Sequence, residues 1–474
     1  MSYGLYIGKN LTSDGHAWLA GYGDEPSSHW LEIISRKKHP KGKKINVGVN
    51  KNANMSGKLI KIPQVLKTYK HIRVSYSYYL GVPAPITNGG LNEYGVAVRD
   101  IWSTSRKELI SMTPKNQTGP NYSDLARIVL ERARSARQAI TIVDNLIKKY
   151  GESTYGGNSH IFADSNEAWI MIQFAGGKGL WAAEKLGPNS IRASRPGYIE
   201  EIPIVEKNNP NFLYSKNLIS FCKKKGWYSK GPFNVNKILG DGKGRWKGVK
   251  WIEKKIRDVS KRPGKIKLKD VIWAIRTPKL TGDTAGYGQI VPLTDPTHND
   301  LRMLWHSPSG AVASTFSPIF IGQTIVPEEF MMHRYLTVGE SHRFSDERKK
   351  NDKDTVSLVS QGVESTISAF YECKRLFYLI LENKNDFLSL ANKAFKNREN
   401  KLIKKTNKTL KIAKKFLIKN KKNLSKNVLN NFSVMELNNG LKLVQNLSKI
   451  MDKKIRKTKS FYKSVKPRSF KQIW

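Results

Sequence analysis

The sequence contains few cysteines and few acidic residues. Of its 474 residues only two are cysteines, Cys222 and Cys373. Two thiols so far apart exclude a CxxC zinc site and a disulfide framework, and we expect both to pack as small hydrophobic side chains. No apolar run approaches the roughly 18 residues that a membrane-spanning helix needs, and the first residues lack the basic and apolar segments of a secretory signal. We therefore expect a soluble, cytoplasmic protein without a membrane span.

The shortage of acidic residues leaves a large positive charge. The 38 Asp and Glu are outnumbered by 83 Lys and Arg, which gives a formal net charge of +45. Residues 391–474 alone carry 25 Lys and Arg and 3 Asp and Glu. Apolar residues recur there every three or four positions, which predicts amphipathic helices with lysine-rich outer faces. Because no nucleic-acid-binding motif accompanies the charge, we interpret these faces as solvated; contact with nucleic acid or an anionic membrane is the alternative.

Short apolar strands separated by turns fill most of the first 340 residues, with a pair of helices between Trp102 and Ser159. We expect Ser123 to cap the first helix and Ser135 to cap the second, where Ser135-Ala136-Arg137-Gln138 has the spacing of a capping box. Strands that flank a helix pair without strict βαβ alternation indicate an α+β fold. The expected parts are a main domain over residues 2–345, a helical extension over 346–455 and a basic tail over 456–474.

Several common catalytic motifs are missing. The glycine-rich segment 240–246 lacks the spacing of a phosphate-binding loop. Ser159 is not followed by the second glycine of the GxSxG nucleophile elbow, since Ile161 stands there. The nine histidines form no HExxH motif. The sequence therefore predicts neither a metal site nor a cofactor.

The amino terminus offers a different nucleophile. Methionine is removed in the cytosol when the second residue is small, and its removal would leave Ser2 as the first residue. An α-amine has an ordinary pKa of about 7.7 to 8.0, so it can act as general base for the hydroxyl of its own residue, which is otherwise a poor nucleophile. Many proteins begin with Met-Ser, however, so Ser2 alone identifies no enzyme.

The neighbours of Ser2 and several later segments follow the order of a known family. They resemble the dipeptidase family that includes dipeptidase A and the secernins, over roughly residues 2–330. The matching segments are Ser2-Tyr3-Gly4-Leu5-Tyr6-Ile7-Gly8-Lys9-Asn10, Asp14-Gly15, Asp24, Asn92-Glu93-Tyr94-Gly95-Val96-Ala97, the helix of residues 130–139, Gly156-Gly157-Asn158-Ser159-His160-Ile161-Phe162-Ala163-Asp164, Glu167-Ala168-Trp169, Trp181-Ala182-Ala183 and, more loosely, residues 305–318.

This resemblance implies an N-terminal-nucleophile hydrolase with a four-layer αββα sandwich, in which two antiparallel sheets pack between helices. The implied activity is hydrolysis of the amide bond of dipeptides through an acyl-enzyme intermediate. The implied catalytic residues are Ser2 as nucleophile, Asp24 orienting the α-amine or the substrate, and Asn158 donating to the oxyanion. The implied partner is a small peptide substrate, and the residues expected to contact it are Asn92, Trp102 and Arg195. The sequence leaves homo-oligomerisation open and makes nucleic acid an unexpected partner.

The sequence departs from the family at two places. Ser2 stands where the family usually has a more nucleophilic cysteine. Gly21-Tyr22-Gly23 stands before Asp24, where the family commonly has an Arg-Asn pair, so a cation is missing. Spacing does not show which arginine replaces it; the candidates are Arg99, Arg106, Arg192 and Arg195.

Two other functions stay open at this stage. One is an acylase acting on N-acyl amines or amino acids, with aromatic residues such as Trp102 and the segment 76–79 lining an apolar pocket. The other is a catalytically silent relative that binds an anionic partner through its basic tail.

Overall fold

A computed structural model describes residues 2–23, 27–77, 79, 81–194, 199–204, 209–281, 285–332 and 368–458. Strands and helices are numbered along the chain. The first sheet has six antiparallel strands in the order β14-β1-β2-β18-β19-β20. Their bounds are Tyr3–Ile7 (β1), Ala17–Gly23 (β2), Ile191–Ser194 (β14), Tyr287–Leu293 (β18), Met303–Ser307 (β19) and Ser317–Phe320 (β20).

The second sheet has eight antiparallel strands in the order β16-β13-β12-β11-β10-β9-β8-β3. Their bounds are His29–Ile34 (β3), His71–Tyr76 (β8), Ile86–Asn92 (β9), Ala97–Ile101 (β10), Asn158–Ala163 (β11), Ala168–Gln173 (β12), Trp181–Leu186 (β13) and Phe212–Tyr214 (β16). Three two-stranded ribbons complete the described strands: Lys37–Lys38 (β4) with Lys67–Thr68 (β7), Lys44–Val47 (β5) with Ile60–Pro63 (β6), and Glu201–Ile202 (β15) with Phe233–Asn234 (β17).

Ten α-helices are described. They are Lys107–Ser111 (α1), Tyr122–Arg132 (α2), Ala136–Tyr150 (α3), Leu218–Lys224 (α4), Val235–Leu239 (α5), Lys247–Ser260 (α6), Leu268–Arg276 (α7), Ala369–Glu382 (α8), Lys384–Ile418 (α9) and Lys422–Thr458 (α10). Within the described residues, no helix combines the length and the apolar character needed to cross a membrane.

Three hydrophobic clusters define the layers. One lies between the two sheets and joins residues such as Tyr6 and Leu19 of the first sheet to Ile161 of the second. Another joins the outer face of the second sheet to α2 and α3. A third joins the outer face of the first sheet to α6, α7, α9 and α10. The order helix, sheet, sheet, helix confirms the expected αββα sandwich, and the two faces of each strand follow the alternation of its side chains.

The two predicted helix caps, Ser135 and Ser123, have different outcomes. Ser135 accepts a hydrogen bond from the backbone N–H of Gln138, as expected, but Gln138 accepts from the N–H of Arg134 rather than from Ser135. The expected cap Ser123 is wrong. Asn121 caps α2 instead, in a capping box with Asp124.

The C-terminal helices pack on the sandwich. The carboxylate of Glu399 on α9 forms two hydrogen bonds of 2.8 and 2.6 Å with the guanidinium of Arg276 on α7, and it also accepts from the backbone N–H of Phe316. Helix α10 continues to Thr458, slightly beyond the expected end of the helical extension, whereas residues 345 and 346 lie outside the described residues. Both cysteines are buried and unpaired, as expected.

Candidate active site

Ser2 lies at the start of an interior strand of the first sheet. It directly precedes β1, which pairs with β2 on one side and with β14 on the other, and its exposed fraction is 5%. Tyr3 lies opposite Tyr22, so the same register continued by one residue sets Ser2 opposite Gly23. The sheet therefore fixes the backbone of the residue that the sequence predicts as nucleophile.

The side chain of Ser2 is directed toward the second sheet by strand alternation. Tyr3 and Leu5 face the outer helices, whereas Tyr6 belongs to the cluster between the sheets. A Cβ atom added to Gly4 would lie 2.5 Å from Cδ1 of Ile101 on the second sheet. Gly4 and Tyr6 thus face the second sheet, and Ser2 shares their parity. The hydroxyl of Ser2, the predicted nucleophile, is thus directed toward the space between the sheets.

Arg99 reaches this region from β10. Its Nη2 donates to the carbonyl of Tyr22 at 2.8 Å, and its Nη1 donates to the hydroxyl of Tyr287, whose ring centroid lies 5.2 Å from Cζ. A Cβ atom on Gly21 would lie 3.0 Å from Nε of Arg99 and would overlap the carbonyl oxygen of Tyr3. Glycine at position 21 therefore leaves room for the arginine.

The guanidinium of Arg99 is buried without a carboxylate partner among the described residues. Its exposed fraction is 0%, its Nε has no hydrogen-bond partner there, and its contacts are the carbonyl of Tyr22 and the side chain of Tyr287. Arginine does not lose its proton in proteins. A full positive charge is therefore held beside the strand residues that neighbour Ser2.

The other candidate arginines are placed elsewhere. Arg106 pairs with Glu108 and stacks on Trp227, with Cζ 3.9 Å from the ring centroid. Arg192 pairs with Glu184. Arg195 lies outside the described residues. Of the three candidates that the structure describes, Arg99 is the one located at the start of β1.

Ser194 was not recognised from the sequence. It lies on β14, opposite Gly4 of β1, so its side chain also faces the second sheet. Its exposed fraction is 1%, and its hydroxyl has no hydrogen-bond partner among the described residues. No sequence signal distinguishes it from other strand serines, because only the pairing of β14 with β1 brings it near Ser2.

Two predicted residues adjoin this region without being described. Asp24 follows Gly23, the last residue of β2, and Arg195 follows Ser194, the last residue of β14. Gly23 and Ser194 lie at the same end of the first sheet as Ser2. Their predicted roles remain predictions.

Asn158 lies on the opposite face of the second sheet. Its parity on β11 is that of Phe162, which packs against α2 and α3. Its Oδ1 accepts from the hydroxyl of Tyr155 at 3.0 Å, and its amide also hydrogen-bonds Asp100. The structure does not bring the side chains of Asn158 and Ser2 together, so the expected oxyanion role of Asn158 is not retained.

Asp100 is the centre of a buried polar cluster on that helix-covered face. Asn88 donates to its Oδ2 at 3.1 Å, and Nε2 of His160 lies 3.8 Å from its Oδ1. Burial raises the pKa of Asp100 to about 7, although hydrogen bonds from Asn88 and Asn158 oppose the shift. Burial lowers the pKa of His160 to about 4. The cluster of Asn88, Asp100, Asn158 and His160 is thus largely uncharged between about pH 4 and 7.

Asn92 supports a turn. Its Nδ2 donates to the carbonyls of Leu130 and Ala133, and its Oδ1 accepts from the N–H groups of Tyr94 and Val96. Two donors and two lone pairs exhaust a side-chain amide. The expected substrate contact of Asn92 is therefore not retained.

The aromatic residues give little support for an open apolar pocket. Trp102 follows β10 and is partly exposed, and no contact is described that assigns it to the site. Tyr76 is fully buried, and its hydroxyl hydrogen-bonds that of Tyr122 at 2.5 Å. No group of three His, Cys, Asp or Glu residues within the described ranges is arranged as metal ligands.

Comparison with known proteins agrees with the resemblance drawn from the motifs. The chain is 31% identical to "Probable dipeptidase B" of Lactococcus lactis subsp. lactis over 131 residues, which are 27% of this chain and 26% of that protein. It is 28% identical to "Probable dipeptidase" of Salmonella dublin over 153 residues, 31% of this chain and 34% of that protein. The chain thus matches about a quarter to a third of the length of these curated relatives.

Solved structures share a more distant likeness. A mutant of conjugated bile acid hydrolase from Clostridium perfringens is 13% identical with a TM-score of 0.29, covering 68% of this chain and 92% of that chain. The Caenorhabditis elegans ortholog of N-acylethanolamine-hydrolyzing acid amidase is 10% identical with a TM-score of 0.29, covering 63% and 95%. The fold assignment therefore rests on the layers described above. The family model of peptidase family C69 matches residues 5–246, just over half of the sequence, and the chain belongs to this family.

Proposed function

We propose that this protein is a dipeptidase in which Ser2, exposed as the first residue by removal of Met1, is the nucleophile. The observation that carries the proposal is the position of Ser2 in a chain of peptidase family C69: it directly precedes an interior strand, and its side chain is directed into the space between the sheets. Because the mechanism needs methionine removal, which takes place in the cytosol, a cytoplasmic enzyme is part of the same proposal.

The reaction begins with attack of Ser2 Oγ on the scissile carbonyl carbon. The α-amine of Ser2 takes the hydroxyl proton and delivers it to the leaving amine, so the amide bond breaks and an ester with Ser2 forms. Water then attacks the ester, the amine again serves as base, and the acid is released. Asp24 is assigned to orient the α-amine, and Arg195 to contact the substrate.

Arg99 supports this chemistry electrostatically. A nearby cation disfavours the protonated form of an amine, so it keeps the Ser2 amine available as a base. We therefore assign to Arg99 the role of the family's arginine, which this sequence lacks at Gly21.

Ser194 is the donor that we assign to the oxyanion. Its hydroxyl, unpartnered among the described residues, is on the strand beside β1 and on the face that Ser2 shares. A hydroxyl held in place before the reaction stabilises the developing negative charge without the cost of reorienting solvent. Replacement by alanine would remove this donor with little change in volume.

The first test of the proposal is the identity of the amino terminus. Intact-mass measurement of the purified protein is expected to show that Met1 is absent; retention of Met1 would exclude the mechanism. A dipeptide library is then assayed with wild type, Ser2→Ala and Ser2→Cys. We expect Ser2→Ala to lose nearly all turnover, and Ser2→Cys to retain it with labelling by a thiol-directed acylating probe. Equal turnover by wild type and Ser2→Ala would exclude Ser2 as nucleophile.

A second substrate set separates the dipeptidase from the acylase alternative. N-acyl amino acids with long apolar acyl chains are assayed beside dipeptides of the same leaving amino acid. Preference for dipeptides in kcat/KM supports the proposal. Preference for the acyl substrates, lost in Ser2→Ala, would show the same nucleophile acting in an acylase.

A further inference from the structure

The turn between α9 and α10 exposes three aliphatic side chains to solvent. Ile418 has an exposed fraction of 69%, the highest of any large hydrophobic side chain in the described part of the chain. Ile412 and Leu424, on either side of it, have exposed fractions of 48% and 45%. We call residues 411–426 the hairpin tip. The described part of the protein thus leaves about half or more of each of these three side chains open to solvent.

The hairpin tip has a defined backbone structure. Asn420 adopts the left-handed conformation with φ of 56°, its N–H donates to the carbonyl of Leu417 at 3.0 Å, and the N–H of Lys421 donates to the carbonyl of Phe416 at 2.8 Å. This pair of bonds is the Schellman motif that ends a helix. Leu417 and Leu429 are buried in the cluster beneath the first sheet. The exposure of Ile418 therefore belongs to a packed corner of the fold.

The surface around these side chains carries charge of one sign. Residues 400–435 contain eleven lysines and no Asp, Glu or Arg. Six of the lysines in the hairpin tip are exposed: Lys411, Lys414, Lys415, Lys419, Lys421 and Lys422. The tip thus combines exposed aliphatic side chains with six exposed ammonium groups.

We propose that the hairpin tip docks on the surface of an anionic lipid bilayer. Lysines next to a membrane are attracted by acidic headgroups, and aliphatic side chains gain free energy when they enter the boundary between headgroups and acyl chains. The lysines alone do not account for the exposed aliphatic side chains, and the aliphatic side chains do not account for the lysines. The tip joins two helices of 35 and 37 residues, and its exposed side chains can contact a flat surface while Leu417 stays packed in the cluster beneath the first sheet.

Other occupants fit these observations less well. Nucleic acid would use the lysines but has no need of Ile412, Ile418 and Leu424, and the exposed tip offers neither arginine nor an exposed aromatic ring for stacking. A second copy of this chain would bring a net charge of +45 against the same lysines. The bilayer surface uses both the charge and the apolar groups.

The test is sedimentation of the full-length protein with vesicles, at about 0.1 M salt, where the screening length is about 10 Å. One vesicle set contains phosphatidylcholine alone, and the other contains phosphatidylcholine with about 30% phosphatidylserine. We expect binding to the acidic vesicles only. The variant Ile418→Asn/Leu424→Asn is expected to lose at least tenfold in partitioning, and Lys414→Glu/Lys415→Glu at least as much.

Matched controls are available on the sandwich. Leu66→Asn removes an aliphatic side chain with an exposed fraction of 66%, and Lys37→Glu/Lys38→Glu makes the same charge change on an exposed ribbon. Both controls are expected to bind acidic vesicles within twofold of wild type. Absence of binding, equal binding to both vesicle sets, or an equal loss in tip and control variants would overturn the proposal. Binding to a polynucleotide that the Ile418→Asn/Leu424→Asn variant retains, without vesicle binding, would replace it with a nucleic-acid surface.

This test is independent of the catalytic proposal. The vesicle experiment needs no substrate, and circular dichroism of each variant shows whether the helices are retained. Loss of vesicle binding with retained helicity therefore reports on the tip alone.

Discussion

Arg99 and Asp100 are consecutive residues of β10, and both side chains are buried, one on each face of the second sheet. Toward the first sheet, Arg99 has no carboxylate among its described contacts and keeps its charge. Toward the helices, Asp100 is surrounded by amide groups and has a pKa near 7, so burial removes its charge over much of the pH range. On the face toward the first sheet, Arg99 thus stays charged, which costs stability. On the helix-covered face, burial keeps Asp100 uncharged over much of the pH range.

The contrast shows how a buried charge can be interpreted. A buried polar group that is hydrogen-bonded by its neighbours and can become neutral is expected to contribute to the fold. A buried arginine without a carboxylate bears the cost of desolvation with no compensating attraction to a partner. Such a group is expected where function requires it, and Arg99 lies beside the start of β1. Three substitutions test this distinction.

The largest effect is expected for a buried arginine that does have a partner. Glu399→Gln removes the carboxylate of the Arg276 ion pair, in which the arginine and glutamate side chains are 9% and 4% exposed. Removing one member of a buried pair typically costs about 3 to 5 kcal/mol, because the remaining charge is uncompensated. We expect a loss of about 3 kcal/mol in the free energy of unfolding, measured by urea denaturation. Glu108→Gln, which removes an exposed partner of Arg106, serves as control and should leave the midpoint unchanged.

Arg99→Met is expected to lower activity and not stability. Methionine removes a buried charge that has no carboxylate partner among the described residues, but it also loses the hydrogen bonds to Tyr22 and Tyr287, so the free energy of unfolding should change by no more than about 1 kcal/mol. Loss of the cation raises the pKa of the Ser2 amine, so kcat/KM should fall by roughly tenfold at pH 7, as expected for a change of about one pKa unit. The deficit should shrink as the pH rises, and Arg99→Lys should restore part of the activity.

The pH profile separates a positioning role of Arg99 from a structural one. A deficit that is the same at every pH would contradict the electrostatic role. A large loss of stability in Arg99→Met, comparable to that of Glu399→Gln, would contradict the distinction between the two arginines.

The smallest effect on activity is expected for Asp100→Asn. The folded pKa of Asp100 is about 7 against an ordinary value of 3.8. The folded state therefore binds this proton between about pH 4 and 7 while the unfolded state does not, so this carboxyl lowers stability as pH rises through that window. Asparagine imitates the protonated form. We expect the variant to match wild type near pH 4 and to become increasingly more stable than wild type as the pH rises toward 8.

Urea denaturation at several pH values gives this comparison directly. Asp144→Asn, a substitution at a partly buried helix carboxylate paired with Lys148, is a suitable control for general charge effects. A variant that is less stable than wild type at pH 8 would show that Asp100 is stabilising in its charged form. Activity at pH 7 should change less than in Arg99→Met.

The sequence allowed the layers to be predicted but not the residues that meet across them. Short alternating strands and the resemblance to the dipeptidase family predicted the αββα order, and Ser135 marked the start of α3 because capping depends on local spacing. The prediction for Ser123 failed because Asn121, two residues earlier, satisfies the same backbone groups and forms the reciprocal contact with Asp124.

The site was only partly predictable for a physical reason. Alternation tells which residues of a strand share a face, but it does not tell which strand of the other sheet lies opposite. Arg99 could be named as one of four candidates, and its hydrogen bond to Tyr22 and its position beside Gly21 distinguish it. Asn92 and Asn158 were selected from matched motifs, whereas their hydrogen bonds assign them to a turn and to the helix-covered face.

The interior position of β1 has a practical consequence for anyone who produces this protein. Ser2 is almost completely enclosed and is followed at once by a strand paired on both sides. Under the proposed mechanism, an affinity tag at the amino terminus would block the Ser2 amine, so we expect such a preparation to behave as a proenzyme. A tag at the other end, or a cleavable leader that leaves serine first, avoids this inhibition.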